Sequence, residues 1–325
     1  MELTSIEALI LSLGAMGLGI ILLVRGGNWT VDSSVFIAQK FGISPLLVGF
    51  TIVAFGTSLP EMVISVLANM QGSPGIAMGN VIGSNIANTL LIIGVSAFFG
   101  TLYVVNKAIT KDLVMMMVAT GVLLSLMMGE VISQVAGIAM LVMLIGYVIY
   151  QYRAAVQGEV IPEEDAPEFA NNYVPYLFLF LGLVAIAGGA EFLVRGARVS
   201  ASVIGVPESV IALSIIAFGT SLPELSTCII AARKGHSSMV LGNVIGSNVF
   251  NILMILGVTA IVKEIDLGGV APQLINFDMW FVLGVSAVFA GLLMVFGKIS
   301  RPVGAVFLLG YLAYNIYIYA LHIAV

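Results

Sequence analysis

The string AFGTSLPE occurs at Ala54–Glu61 and again at Ala217–Glu224, both times inside a long apolar run. Each copy places a proline and a glutamate where a membrane-spanning helix takes neither without cost. A second string, GNVIGSN, follows each copy, at Gly79–Asn85 and Gly242–Asn248. Residues 54–94 align with 217–257 without a gap, and 21 of the 41 positions are identical. A duplicated acidic motif broken by proline, in surroundings this apolar, predicts a symmetric ion site.

The rest of the chain fits that reading. Of its 325 residues 60% are hydrophobic and only 9% charged, and mean hydropathy is +1.13, which marks a polytopic membrane protein. About 20 apolar residues span a bilayer as a helix. Ten runs qualify: 6–24, 43–68, 76–100, 112–128, 131–150, 174–195, 206–232, 239–262, 279–296 and 302–321. They lack the alternation of barrel strands, and backbone groups in hydrocarbon must pair internally, so the expected fold is all-α. No Lys or Arg precedes Arg25, so the first run reads as a retained span rather than a signal peptide. A single cysteine, Cys228, excludes an internal disulfide and any multi-cysteine metal site.

Residues 151–173 form the main break, with Arg153, Glu159, Glu163, Glu164, Asp165 and Glu168 and two prolines. They read as a solvated acidic linker between a first half, 1–150, and a second, 174–325. Five spans per half is an odd number, so the second half enters the membrane from the opposite side. The two motif copies then run antiparallel, as in the inverted repeats of secondary transporters. Taking alternate connections, one set holds Arg25, Lys40, Lys107, Lys111, Arg153, Arg233, Lys234, Lys298 and Arg301; the other holds Arg195, Arg198 and Lys263. By the positive-inside rule the first set and the linker are cytoplasmic and both termini lie outside.

Pro60 has no amide hydrogen to give the carbonyl of Gly56, and Gly56 adds backbone freedom, so the helix is expected to kink and free carbonyls near Ala54–Thr57. Thr57 and Ser58 lie four and three residues before Glu61, on the same helix face. Thr220, Ser221 and Glu224 repeat the pattern around Pro223. Glu61 and Glu224 are read as the only carboxylates at mid-span, and two of them close together need a cation or protons between them. An all-oxygen set suits hard cations such as Ca²⁺ or Na⁺. Ser84 and Asn88, with Ser247 and Asn251, fall on one helical stripe and can complete the shell. Asn80 and Asn243 suit interhelical hydrogen bonding.

GTSLPE followed by GNVIGSN, twice, resembles the two alpha-repeats of the sodium/calcium exchanger family, and the resemblance covers essentially the whole chain. It implies ten helices as two inverted five-helix repeats, alternating access, and a central site shared by Na⁺ and Ca²⁺. It further implies that the first and sixth helices slide as a pair against the remaining bundle. By motif position, Glu61 and Glu224 would be the principal ligands of both ions, and Thr57 and Thr220 would give carbonyls to Ca²⁺. Ser58, Ser84, Ser221 and Ser247, with the carbonyls of Ala54 and Ala217, would complete the Na⁺ positions; Asn88 and Asn251 would line the centre. Some relatives carry Asp where this chain has Asn251, leaving two carboxylates instead of three.

Other residues suit plainer roles. Arg25 and Arg195, in matching LVRG strings, are placed at span ends as interfacial anchors, and Glu191 is placed to pair with Arg195. Glu7 and Asp278 are expected near headgroups, and Cys228 as a small buried residue. Neither histidine lies in a motif span and no HExxH is present, so the chain is not read as an enzyme. A channel is disfavoured because conduction needs weak sites. The expected activity is Ca²⁺/Na⁺ antiport, with Ca²⁺/H⁺ antiport through the same glutamates as the alternative. No cofactor is expected. The expected partners are the transported cations and the lipid bilayer in a cell membrane, without nucleic acid; the oligomeric state stays open, a monomer included.

Overall fold

A computed structural model of the chain describes residues 5–104, 109–157, 167–169, 171–204 and 219–323. Its helices, in chain order, are α1 (Ser5–Phe41), α2 (Pro45–Thr57), α3 (Leu59–Met70), α4 (Pro74–Phe99), α5 (Ile109–Met127) and α6 (Gln134–Gln157). There follow α7 (Val174–Val203), α8 (Leu222–Arg233), α9 (Ser237–Val262), α10 (Leu274–Phe296) and α11 (Arg301–Ile323). Seven of these are individually long and apolar enough to cross a membrane, and α2 with α3, bent by 44° at their junction, makes an eighth span. The first part of the expected span 206–232, up to residue 218, lies outside the described residues, as do residues 158–166 and 170 of the acidic linker; α8 is the described end of that span.

Two expected boundaries move. Hydropathy ends the first run at residue 24 and the sixth at residue 195, yet α1 continues to Phe41 and α7 to Val203. Arg25 is therefore mid-helix, not at a helix end. The reason is physical: the polar stretch after Val24 lowers hydropathy but contains no proline, and the helix stops only where Gly42 turns left-handed with φ 64°. At 1.5 Å per residue α1 is about 55 Å long, well beyond the ~30 Å hydrocarbon core. Its first part exposes Ile10, Leu11, Leu13, Ile20 and Ile21 on the outer surface, as a lipid-facing helix does, while its later part buries Thr30, Ser33 and Ser34.

Helices α1 and α7 pack along each other, backbone to backbone. A Cβ on Gly19 would lie 2.7 Å from the Gly189 carbonyl oxygen, and one on Gly189 would lie 2.8 Å from that of Gly19; Gly26 and Gly182 approach at the same two distances. Small residues allow this closeness between membrane helices. The pairing is antiparallel and reciprocal, since the order of the glycines along one helix is reversed on the other.

At the opposite extreme, α9 is buried throughout its first three turns, from Ser238 to Phe250, and forms the axis of one continuous core with α2, α4, α5 and α10. Its motif glycines admit α2. A Cβ on Gly246 would stand 2.3 Å from the Phe50 carbonyl oxygen and 2.7 Å from the Phe50 Cα. Because backbone cannot swing aside as a side chain can, Gly246→Ala is expected to destabilise the fold by about 1–3 kcal/mol. A lowered melting temperature in detergent is the measurement; an unchanged one would contradict this packing.

Outside the bundle the connections pair across the halves. Strand β1 (Leu102–Tyr103) pairs with β4 (Lys298–Ile299), and β2 (Val131–Ile132) pairs with β3 (Ile265–Asp266), both antiparallel. These two short bridges are the departure from an all-α fold among the described residues; exposed backbone groups of loops that meet outside the helices satisfy one another. Further contacts sort the same way. Lys234 pairs with Asp32 at 2.6 Å and Ser237 donates to the Thr101 carbonyl at 3.5 Å, on the side of β1 and β4. Asn69 donates to the Lys263 carbonyl at 2.7 Å, on the side of β2 and β3. The alternate connections read from the sequence thus gather on two separate faces.

One expectation is overturned. Asp278 is 2% exposed and does not reach toward headgroups; Tyr314 donates to it at 3.1 Å and Gln273 at 3.2 Å. Asp112 in the first turn of α5, also 2% exposed, has a matching pair in Tyr147 at 2.6 Å and Gln151. An aromatic hydroxyl and an amide satisfy each buried carboxyl, which ties α5 to α6 and α10 to α11.

Candidate cation site

The break between α2 and α3 falls at Ser58, with φ −86° and ψ 0°, and Ser221, which precedes α8, has nearly the same conformation, with φ −87° and ψ 2°. Proline stands at the second position of the helix that follows, where its missing amide costs little. The glutamate is the next residue, in the first turn, where the helix N-terminus favours negative charge. Local sequence thus puts each carboxylate on the first turn of a new helix that begins inside the protein.

Both carboxylates are buried, Glu61 at 0% and Glu224 at 1% exposure, and they lie close enough to interact. Ser58 donates to Glu224 Oε1 at 3.3 Å, across the two halves. Both oxygens of Glu61 and Oε2 of Glu224 have no hydrogen-bond partner among the described residues. Nor do Oδ1 of Asn88, Oδ1 of Asn251 and Oγ of Ser247, all buried. The helix of Glu61 packs against the segment starting at Asn251, and the helix of Glu224 against the segment containing Asn88. Buried oxygens left without donors are expensive unless something positive meets them.

The other expected ligands fall around this cluster. Thr57, Ser84 and Ser221 are buried, and Ser84 accepts a hydrogen bond from Asn251 at 3.1 Å. Thr220 is half-buried and lines a cavity of about 110 Å³ with Pro60, Ala190, Glu191 and Pro223. The Ala54 carbonyl keeps its helical hydrogen bond: the Ser58 amide donates to it at 3.0 Å and the Thr57 hydroxyl lies 3.4 Å away. Ala217 lies outside the described residues. Glu191 pairs with Arg195 one turn on, as expected.

Several contributions had no clear signal in the sequence. Asn88 and Asn251 sit in single wide turns of π-helix, Ala87–Ile92 and Asn251–Leu256, a feature that recurs at functional sites. Asn80 donates to the Glu61 carbonyl at 3.1 Å and to Ser65 at 2.9 Å, while Asn243 donates to Cys228 Sγ at 3.2 Å. These are the interhelical hydrogen bonds expected of the two residues, from α4 to α3 and from α9 to α8. Nothing in the sequence around Asn85 and Asn248 points to a role in the site. Their repetition at the end of GNVIGSN was the available clue.

The profile of the family described as sodium/calcium exchanger protein matches residues 11–153 and 174–320, the greater part of both halves. The chain belongs to the sodium/calcium exchanger family. An uncharacterized membrane protein of Methanocaldococcus jannaschii is 34% identical over 306 residues, covering 94% of this chain and 97% of that protein. The sodium/calcium exchanger MaX1 of Methanosarcina acetivorans is 29% identical over 341 residues, covering 93% and 97%. Among solved structures, the sodium-calcium exchanger NCX_Mj soaked with Na⁺ and Sr²⁺ superposes with a TM-score of 0.81 at 32% identity, over 94% of this chain and 98% of that one. This family member is therefore a multi-pass membrane protein and a cation/calcium antiporter, of a family that transports Na⁺ and Ca²⁺.

Proposed function

We propose that this antiporter exchanges Ca²⁺ for Na⁺ by alternating access, with both ions bound in turn between Glu61 and Glu224. The observation that carries the reading is the set of buried oxygens without donors on Glu61, Glu224, Asn88, Ser247 and Asn251, contributed equally by duplicated motifs. Such a set suits a hard cation. Ser58, Ser84 and Ser221, with the backbone at Thr57 and Thr220, complete the shell, and no cofactor takes part. Two carboxylates balance one Ca²⁺ or two Na⁺, so either load leaves the site near neutral.

The ten spans are two inverted five-helix repeats, 1–150 and 174–325, joined by the linker 151–173. The reciprocal contacts of Gly19 with Gly189 and Gly26 with Gly182, and of β1 with β4 and β2 with β3, are those of two halves related by a two-fold axis. Alternating access comes from motion of the α1–α7 pair. That pair holds its own small apolar cluster with Leu222, apart from the main core, and α1 and α8 together line a cavity of about 600 Å³. The small cavity beside Pro60 and Pro223 is a route to the site from one side. The face with Lys234 and Lys298 is cytoplasmic, following the nine-to-three bias of basic residues, and both termini lie outside the cell membrane.

The test uses purified protein in sealed liposomes loaded with Na⁺ and diluted into Na⁺-free buffer with labelled Ca²⁺. Uptake that requires the outward Na⁺ gradient and survives collapse of the pH gradient is the expected result. Uptake that ignores Na⁺ and follows an imposed pH gradient would overturn Na⁺ coupling and make protons the counter-ion at the same glutamates.

A further inference from the structure

Asn88 and Asn251 are neutral groups with two ends of opposite polarity. An amide turned oxygen-first helps bind a cation, and one turned NH₂-first repels it. Rotation by half a turn changes the shape of the side chain very little, so packing alone does not choose between them. Something must fix the direction.

The neighbouring motif asparagines do so, each reaching from the opposite half. Asn88 Nδ2 donates to Asn248 Oδ1 at 3.1 Å, and Asn251 Nδ2 donates to Asn85 Oδ1 at 3.0 Å and to Ser84 Oγ at 3.1 Å. Asn85 and Asn248 are themselves held. The Asn85 amide donates to the Asn248 backbone carbonyl at 3.3 Å, and the Asn248 amide donates to Thr89 Oγ1 at 3.0 Å. Thr89 in turn donates to the Asn85 carbonyl at 3.0 Å. The four asparagines and Thr89 are at most 1% exposed, so water offers no alternative partner. With their NH₂ groups engaged, Asn88 and Asn251 are left with Oδ1 as the unpartnered atom, the atom a cation attracts.

We propose that Asn85 and Asn248 are positioning residues that set the polarity of the two amide ligands, Asn248 acting on Asn88 and Asn85 acting on Asn251. They touch no ion themselves. The arrangement is crossed: each half orients the amide of the other, so the orientation of either amide depends on both halves being in register. The inference rests on the Glu61–Glu224 site proposed above and adds to it a pairing of specific residues.

A double-mutant cycle tests that pairing. Half-saturation by Na⁺ and by Ca²⁺ is measured in proteoliposomes for Asn248→Leu, Asn88→Leu and the double variant, and again for Asn248→Leu in an Asn251→Leu background. Loss of a single charge-assisted contact changes affinity by about tenfold. Asn248→Leu alone is expected to raise half-saturation by about that factor, to add nothing once Asn88 is already leucine, and to retain its full effect when Asn251 is leucine. A merely structural asparagine would act alike in both backgrounds. Equal additional effects in the two backgrounds, or no effect of Asn248→Leu alone, would overturn the proposal. The mirror cycle with Asn85→Ala, Asn251→Ala and Asn88→Ala serves if a leucine variant does not fold. Glu61→Gln is run beside them. If it leaves ion dependence unchanged the site itself is wrong, whereas its loss of transport with a flat Asn248→Leu result removes only the positioning role.

Discussion

Glu61→Gln and Glu224→Gln, each made alone, are expected to lower Ca²⁺ exchange more than a hundredfold while leaving the protein folded. The electrostatic argument gives the scale. A unit charge pair 4 Å apart is worth about 4 kcal/mol at an effective dielectric constant of 20, and a divalent ion doubles it. Desolvation removes much of that gain, but each 1.4 kcal/mol that remains is a factor of ten. Glutamine keeps the size of glutamate, so packing around the broken helices persists. It also removes a buried charge from an environment where both carboxylates are at most 1% exposed, so the ion-free protein is expected to melt no lower than the parent. Uptake of labelled Ca²⁺ and a melting curve on the same preparation separate the two effects. Near-normal exchange in both single variants would remove these residues from the site.

Asn251→Asp is expected to change which ions balance the site. In the parent, the Asn251 amide gives hydrogen bonds to Ser84 and to the Asn85 oxygen. A carboxylate cannot donate either bond and would set like oxygens against each other. It can keep the arrangement only by carrying a proton, or by attracting one further cation to offset the third negative charge. The sign with pH follows. In acid the protonated Asp keeps one donor for these contacts and adds no charge, so the variant stays nearest the parent. As pH rises the proton is lost, and the Na⁺ dependence of exchange steepens by about one additional ion per cycle. Na⁺ titrations of Ca²⁺ uptake across a pH series check this. Identical ion and pH dependence in parent and variant would place residue 251 away from the ions.

The central features were legible because they rest on chemistry that does not depend on neighbours. A proline and a glutamate in an apolar run, twice, predict broken helices wherever the rest of the chain goes; α2 breaks from α3 at Ser58, and Ser221 has the same backbone conformation ahead of α8. What depended on a second segment was hidden. Nothing local to Asp112 or Asp278 announces burial, since the tyrosine that satisfies each lies 35 or 36 residues further on. Asn85 and Asn248 acquire meaning only through contacts with the other half, more than 150 residues away. The end of α1 was misplaced because hydropathy reports where a chain leaves the hydrocarbon. Whether the helix itself stops there is decided by residues such as Gly42.

The two glutamates sit in identical strings, yet one is served and the other is not. Ser58 holds Glu224, while Glu61, the counterpart, has no partner among the described residues for either oxygen, Ser221 included. Under the alternating access proposed above, halves that trade conformations each take up what the other now has. The surroundings of Glu224 are then a sketch of what awaits Glu61 once access switches sides. Ser221 would close on Glu61 as Ser58 lets Glu224 go. On that view the two serines are the alternating hands of one latch, and a single conformation already contains the outline of the second.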